Sequence, residues 1–464
     1  MTLNNFNPHT TNKVRITNIQ RRLSKTFSVI NKQPRWLFFA GIAILTFGLR
    51  VGTYLSLSNR WDFRQALTWD GWGRIALFMS HGYGLADNYR LTYFLLGDIP
   101  VPTAARMPLP IFLFAGTLRL FGNGLLQIVI LQAVIDAGTA VITYLITCRL
   151  FRTVEFIHGN SGQHLSHLAG LLAALGFAFF LPEWSYFIGF QSEPLLTFLL
   201  TAALALAMFA RIPIHLVATG AFFGLAALVN PSVLPFTILL VPWLIWGRGL
   251  TFRRALLVPV LALLIVLPWG LRNYVVFHQA VITNTLGGYN FYRHSGVIEE
   301  DNYLRYVKYD EANEKILNLL NSRGLTPNTT SETALDALLM QEARQIIMAH
   351  PWRYVNLCLH RAVWLFYYED LDDYIVNHPK LYYAFKLALY GMLCLAVWRY
   401  RGKWIKRVTP LWLMFGYIIL VHSIIVAQFR YLLPLIPLLL SICAYAVVQG
   451  SLEISRLVLK IKKT

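Results

Sequence analysis

A small set of charged and polar residues beside long apolar segments supplies the candidates for chemistry in this sequence. Asp70 lies beyond the first apolar segment, and a carboxylate there can act as a general base at a lipid surface. Arg74 follows four residues later, so on a helix it shares a face with Asp70, and the two side chains can also simply pair. Arg106 stands just before Pro108, near a predicted helix start, where backbone N–H groups and a guanidinium can jointly hold a phosphate. The alternative role for Arg106 is a contact with lipid headgroups.

Further candidates lie at the ends of later apolar segments. Glu193 opens one of them, where a carboxylate can serve a reaction or simply complement the helix dipole. Arg272 and Asn273 close another, and this pair of side chains can hold an anion. Tyr274 beside them is of a type common at membrane interfaces. Asp136 lies inside an apolar segment, and there we favour a hydrogen-bonded structural role over a catalytic one.

Motifs for metals and cofactors have little support in the sequence. Asp370-Leu371-Asp372-Asp373 is similar to a DxD metal motif, but we interpret it as a solvated acidic turn. The cysteines lie in or beside apolar segments without CxxC spacing, which favours apolar packing roles over a disulfide frame or a zinc site. They are Cys148, Cys358, Cys394 and Cys443. We therefore predict no metal ligands; a divalent metal stays open, without support from any motif.

The composition determines which elements must position these residues. Of 464 residues, 56% are hydrophobic and only 14% are charged, whereas soluble domains have roughly 45–50% and 25%. The mean hydropathy is +0.51. This composition excludes a soluble enzyme, a disordered chain and a fibrous repeat, and it predicts a membrane protein with many spans.

The apolar segments predict an all-α polytopic membrane protein, because they are close to the length of a spanning helix and lack strand alternation. We expect about ten transmembrane helices, at 36–58, 124–148, 166–182, 193–210, 213–229, 232–247, 255–276, 380–398, 409–427 and 431–449. A shorter apolar segment, 108–122, is expected to lie as a helix at the outer surface, with Pro108 in its first turn.

The charges give this arrangement an orientation. The segments that this arrangement places on the cytoplasmic side carry 22 Lys and Arg residues and two acids. The outer segment 277–379 has eight Lys and Arg residues and thirteen acids. The positive-inside rule then leaves both termini in the cytoplasm. The net charge of +19 is thereby explained without nucleic acid as a partner. The predicted parts are a basic tail 1–35, a membrane module 36–276 with an outer loop 59–107, an outer segment 277–379, membrane helices 380–449 and a tail 450–464.

The outer segment 277–379 is predicted to be small and mostly helical. Its stretch 331–367 has a partial apolar stripe, Ser331 at a position that can cap a helix, and Pro351 at a position that interrupts one.

Taken in order, these segments resemble the GT-C class of membrane glycosyltransferases. More closely, they resemble its bacterial members of the protein O-mannosyltransferase and lipid A aminoarabinose transferase type (glycosyltransferase family 39-like). The resemblance runs from Arg50 to about Ala444. It rests on Leu49-Arg50, the Asp70 segment through Gly82-Tyr83-Gly84, Pro102-Thr103-Ala104 through Pro110, Leu120-Phe121-Gly122, Ser192-Glu193-Pro194-Leu195, Gly224 through Pro231, Pro268-Trp269 through Tyr274, Gly287-Gly288-Tyr289-Asn290 and Arg430-Tyr431-Leu432-Leu433-Pro434.

The resemblance implies the GT-C fold and the inverting transfer of a sugar from a polyprenyl-phosphate carrier to an envelope glycan, lipid or protein. The reaction would take place on the periplasmic face of a bacterial inner membrane. By the same resemblance, Asp70 is the base, Arg106 and Arg272 with Asn273 hold the donor phosphate, and Glu193 is an acceptor-binding or second acid. Supporting residues would be Arg74, Tyr274 and Asn290.

The chain departs from the family pattern at three positions. Gly71 stands where many relatives have a glutamate, Met107 where a proline is frequent, and Asn230 where an arginine or lysine is frequent. These departures weaken expectations about the acceptor and about a metal more than the expectation of the class.

Three alternatives remain open at this point. A transporter or flippase for a lipid-linked sugar would share the outer arginines, although no matching halves with broken helices are visible. A ligase or polymerase would move whole oligosaccharides. A membrane scaffold that binds a partner through 277–379 would leave the charged residues unexplained.

Overall fold

The structure is a computed structural model, and it describes residues 35–57, 62–68, 71–155, 160–180, 188–210, 212–368, 379–404 and 408–461. Asp70 and the acidic stretch at 370–373 lie outside the described residues, as do the basic termini 1–34 and 462–464.

Helices form most of the described chain, which confirms the predicted all-α class. In chain order they are α1 (Arg35–Leu57), α2 (Phe63–Thr68), α3 (Trp72–Ser80), α4 (Pro108–Phe121), α5 (Leu125–Glu155), α6 (Asn160–Ala178), α7 (Glu193–Phe209), α8 (Pro213–Ala227), α9 (Val233–Trp246), α10 (Phe252–Ala255), α11 (Leu257–Phe277), α12 (Gly287–Ser295), α13 (Tyr309–Ser322), α14 (Glu332–Ala349), α15 (Pro351–Tyr367), α16 (Pro379–Trp404), α17 (Thr409–Ile424) and α18 (Ile436–Ile461), with a 3₁₀-helix at Phe429–Leu435. Two short antiparallel ladders lie in the first loop and pair β1 (Ala86–Asp87) with β4 (Val101–Pro102) and β2 (Tyr89–Arg90) with β3 (Phe94–Leu95).

Each predicted apolar segment forms a helix, but the helices differ in length. Among the described residues, four helices are long and apolar enough to cross a membrane, at Trp36–Ser56, Leu125–Arg152, Phe252–Phe277 and Phe429–Ile454. Six further apolar helices have only 10–17 residues. At about 1.5 Å per residue, a helix of this length falls short of a hydrocarbon core of about 30 Å. The chain is thus a membrane-type helical protein, and the number of ten spans stays a prediction.

The helix cap and the helix break predicted from the sequence are present in the structure. The Ser331 hydroxyl accepts a hydrogen bond from the Ala334 N–H at 3.3 Å and caps α14. Pro351 begins α15 and thereby ends the run of α14. Leu335 on α14 belongs to a small core that also contains Leu91 of the first loop. The first loop and the segment 277–379 therefore pack against each other.

A buried ion pair lies inside the helical bundle, where α5 packs against α1 and α6. The Arg50 Nε donates to Asp136 Oδ2 at 2.6 Å, and both side chains have 0% exposure. The Arg50 Nη1 also donates to the Ala178 carbonyl at 3.0 Å. Asp136 therefore has the hydrogen-bonded structural position that we favoured for it.

Candidate active site

A cavity of about 400 Å³ lies at one end of the helical bundle. It is found where α4, α7, α9 and the 3₁₀-helix begin and where α8 and α17 end, so the antiparallel helices bring these termini to one level. Its polar lining includes Arg106, Glu193, Asn230, Asn284, Asn290 and Arg430. Three of the predicted site residues, Arg106, Glu193 and Asn290, thus share one cavity.

Two guanidiniums and one carboxylate set the charge of this cavity. Arg430 Nη1 lies 4.0 Å from Glu193 Oε1. Arg106 lies over the Trp72 ring, with its Cζ 5.7 Å from the ring centroid. Glu193 is nearly buried in the first turn of α7, where the helix dipole favours a negative charge. Of the described residues, Arg106 and Arg430 contribute positive charge to the lining and Glu193 contributes negative charge, and the two guanidiniums suit an anionic ligand.

The rest of the cavity is apolar and comes from the sides of the membrane-type helices. Leu196 and Leu200 of α7 face it, and Met414 and Ile418 of α17 face it from the other side. The His422 ring stacks on Tyr431 at a centroid distance of 3.8 Å near the polar end. A cavity with guanidiniums at one end and aliphatic walls between helices has the chemistry to hold a phosphate attached to a hydrocarbon chain.

Arg272 and Asn273 do not line this cavity. The Arg272 guanidinium donates to the carbonyls of Thr103 at 2.9 Å and Leu85 at 3.0 Å. The Asn273 Nδ2 donates to the Val281 carbonyl at 2.9 Å. Both side chains therefore hold backbone of the first loop and of the segment 277–379, and Thr103 is three residues from Arg106.

Arg74 and Tyr274 also lie away from the cavity lining. Arg74 Nε donates to Asp87 Oδ1 at 3.1 Å, and its Nη2 donates to the Thr92 carbonyl at 2.9 Å. Arg74 therefore fixes the fold of the first loop. Tyr274 is largely exposed on α11, as expected of an interfacial tyrosine.

The base expected from the sequence, Asp70, lies outside the described residues. The next residue, Gly71, precedes α3, and Trp72 lines the cavity. Among the described residues, no group of three or more His, Cys, Asp or Glu side chains is placed to hold a metal ion.

Two residues with direct access to the cavity were missed as site residues. Arg430 and Asn230 line it, and each stands in a motif that carried the family resemblance. Their signal was a polar residue at the junction of two apolar segments, close to a proline.

Two acids on α14 complete the surroundings of the site. Glu332 is 1% exposed, and burial raises the pKa of its carboxyl above the ordinary value. Asp336 accepts hydrogen bonds from the N–H groups of Gly288 and Tyr289, at 2.7 and 3.2 Å, and so caps the start of α12. Burial raises the pKa of Asp336 to about 6. Neither acid was a candidate in the sequence, because only the fold brings their partners to them.

Stability is expected to depend on pH through Asp336. Because the folded state binds this proton more tightly than the unfolded chain, stability falls as pH rises from about 4 to about 6, by about 3 kcal/mol for a shift of this size. Asp336→Asn keeps an oxygen for the cap and removes the titration. In detergent, the midpoint temperature of its thermal unfolding should depend less on pH over that interval than that of the wild type. At pH 8 this midpoint should be higher than that of the wild type. Identical pH profiles for the two proteins would contradict this assignment.

Comparisons with known proteins complete the description of the site. No protein-family model matches the chain, and no curated protein matches it. Its structure is similar to that of ArnT from Cupriavidus metallidurans bound to undecaprenyl phosphate, with 14% identity, 89% of this chain and 77% of that chain covered, and a TM-score of 0.32. The same protein in the apo state gives 16% identity, coverage of 81% and 71%, and a TM-score of 0.30. At these TM-scores, the function of the chain has to be argued from its own residues.

Proposed function

We propose that the chain is a membrane glycosyltransferase of the GT-C type that transfers a sugar from a polyprenyl-phosphate carrier to an acceptor. The observation that supports this most directly is the cavity in which Arg106 and Arg430 face the polar end and α7 and α17 supply aliphatic walls. A lipid-linked donor needs these two surroundings at once, because its phosphate stays polar while its chain stays in the bilayer. The outer face of an inner membrane fits this donor, since the compartment beyond it lacks nucleotide sugars.

In this proposal the acceptor hydroxyl attacks the anomeric carbon of the donor sugar, and the bond from that carbon to the phosphate oxygen breaks. Asp70 takes the hydroxyl proton, and the polyprenyl phosphate leaves with the bonding electrons. Arg106 and Arg430 stabilise the charge that develops on the phosphate. Attack from the face opposite the leaving group inverts the anomeric configuration. Glu193, 4.0 Å from Arg430, orients that guanidinium and faces the acceptor.

The phosphate role expected for Arg272 and Asn273 stays a prediction. Their hydrogen bonds to loop carbonyls favour a different contribution, which is to hold the backbone that leads to Arg106. The role of Asp70 rests on the family resemblance, and Trp72, two residues further along the chain, lines the cavity.

The class of reaction is tested with purified protein in lipid vesicles and synthetic polyprenyl-phosphate sugars. Mass spectrometry should detect the glycosylated acceptor and the free polyprenyl phosphate in equal amounts. Movement of the donor across the bilayer without a product would instead identify a flippase. A product that carries a whole oligosaccharide would identify a ligase or polymerase.

Asp70→Asn is expected to lower the transfer rate by about 10²–10⁴-fold, the usual contribution of a general base. Asp62→Asn is the matched control, because Asp62 is an exposed acid in the same outer loop. The rate should be measured at saturating donor across pH 5–9. Equal rates for Asp70→Asn and the wild type would show that another group removes the proton.

A further inference from the structure

The carboxylate of Glu332 joins two chain segments that are distant in sequence. Its Oε2 accepts a hydrogen bond from the Thr103 hydroxyl at 2.8 Å. Its Oε1 accepts from the Ala104 N–H at 2.8 Å and from the Thr285 hydroxyl at 2.5 Å. A buried carboxylate with three donors is a strong contact, since hydrogen bonds to a charged group are about twice as strong as neutral ones.

Both joined segments line the cavity a few residues further along the chain. Thr103 and Ala104 lead directly to Arg106, and Thr285 follows Asn284. The Thr285 N–H also donates to the Ala104 carbonyl at 3.1 Å, so the two segments are fixed to each other as well. Glu332 itself does not line the cavity.

The same helix also holds α12, through Asp336. This acid caps α12, which carries Asn290 of the cavity lining. A Cβ added to Gly288 would lie 1.8 Å from the Asp336 carbonyl oxygen, so α12 and α14 approach as closely as glycine permits. The first two turns of α14 therefore form a rigid support behind the polar end of the cavity.

We infer that Glu332 is a positioning residue that fixes the Arg106 guanidinium at the phosphate end of the cavity, an inference that rests on the proposed function. A guanidinium contributes fully only where its distance to the phosphate is held. A displacement of about 1 Å from a change outside the site can cost about 10²-fold in rate. Without the bonds from Thr103 and Ala104, the segment that ends at Arg106 loses its hydrogen bonds to Glu332 of α14.

The test is a double-mutant cycle between Glu332 and Arg106. Glu332→Ala should raise the KM for the lipid-linked donor and lower kcat/KM by about 10–100-fold. The double variant Glu332→Ala/Arg106→Ala should be no slower than Arg106→Ala alone, because the first change acts through the second residue. Glu332→Gln retains an acceptor oxygen and should stay within a few-fold of the wild type. Native mass spectrometry should show that farnesyl phosphate binds more weakly to Glu332→Ala than to Glu332→Gln, in the same order as the losses in kcat/KM.

Two further variants keep the test decisive. Thr285→Val removes one of the three bonds and serves as the test if Glu332→Ala does not fold. Its loss of kcat/KM should be smaller than that of Glu332→Ala. In the Arg106→Ala background, Thr285→Val should cause no further loss. Glu342→Ala removes an acid of the same helix whose partner, Arg323, lies on the surface, and should behave as the wild type.

Losses that multiply in the double variants would overturn the inference while leaving the proposed function intact. So would Glu332→Ala protein that is less stable but keeps the wild-type kcat and KM. A wild-type protein that neither binds farnesyl phosphate nor transfers a sugar would overturn the proposed function, and the inference with it.

Discussion

Replacing Arg106 by alanine is expected to lower kcat for sugar transfer by about 10²–10³-fold, equivalent to about 2.7–4 kcal/mol in the barrier. The guanidinium faces the polar end of the cavity, and the reaction builds negative charge on the departing phosphate. A preorganised cation stabilises this charge more in the transition state than in the bound donor, so kcat falls more than KM rises. Steady-state kinetics with a synthetic donor would measure both constants.

The same loss is expected for Arg430→Ala, which removes the second guanidinium of the cavity, 4.0 Å from Glu193. Arg119→Ala is the matched control, because this arginine is exposed near the end of α4 and does not line the cavity. Rates within a factor of two of the wild type for both cavity variants would show that the phosphate is held elsewhere. Arg272 would then be the next candidate.

Much of the fold is predictable from the sequence because its signals are local. An apolar segment without strand alternation forms a helix wherever it lies, and each predicted segment does so. Ser331 and Pro351 act on the nearest turn of backbone, so their effects on α14 and α15 follow from their positions alone. The number of spans is harder to predict, since helices of 10–17 residues are shorter than the bilayer core.

The site is only partly predictable, because the type of a residue does not determine which groups its side chain contacts. Arg106 and Arg272 are both arginines near the ends of apolar segments, yet one faces the cavity and the other donates to Thr103 and Leu85. The sequence around Glu332 does not indicate its hydrogen-bond partners, since they lie 47 or more residues away. Contacts over such separations depend on the packing of α14 against the first loop, which no local pattern encodes.

Arg50→Met is expected to destabilise the protein by about 3–5 kcal/mol, the usual cost of leaving a buried charge without its partner. Asp136 would then keep a carboxylate at 0% exposure among apolar helices, where water cannot replace the lost guanidinium. Arg50 lies outside the cavity lining, so activity per folded molecule should stay close to that of the wild type. Thermal unfolding in detergent, followed by the yield of monodisperse protein, would measure the loss.

The double variant Arg50→Met/Asp136→Leu separates the cost of an unpaired charge from the value of the ion pair. With both charges replaced by apolar groups of similar size, most of the lost stability should return, because neither side chain then has to be desolvated. Arg119→Met is the control for the substitution itself, since Arg119 is exposed. If the double variant were as unstable as Arg50→Met, the pair would contribute through its geometry, including the Arg50 contact with the Ala178 carbonyl on α6, and not only by neutralising Asp136.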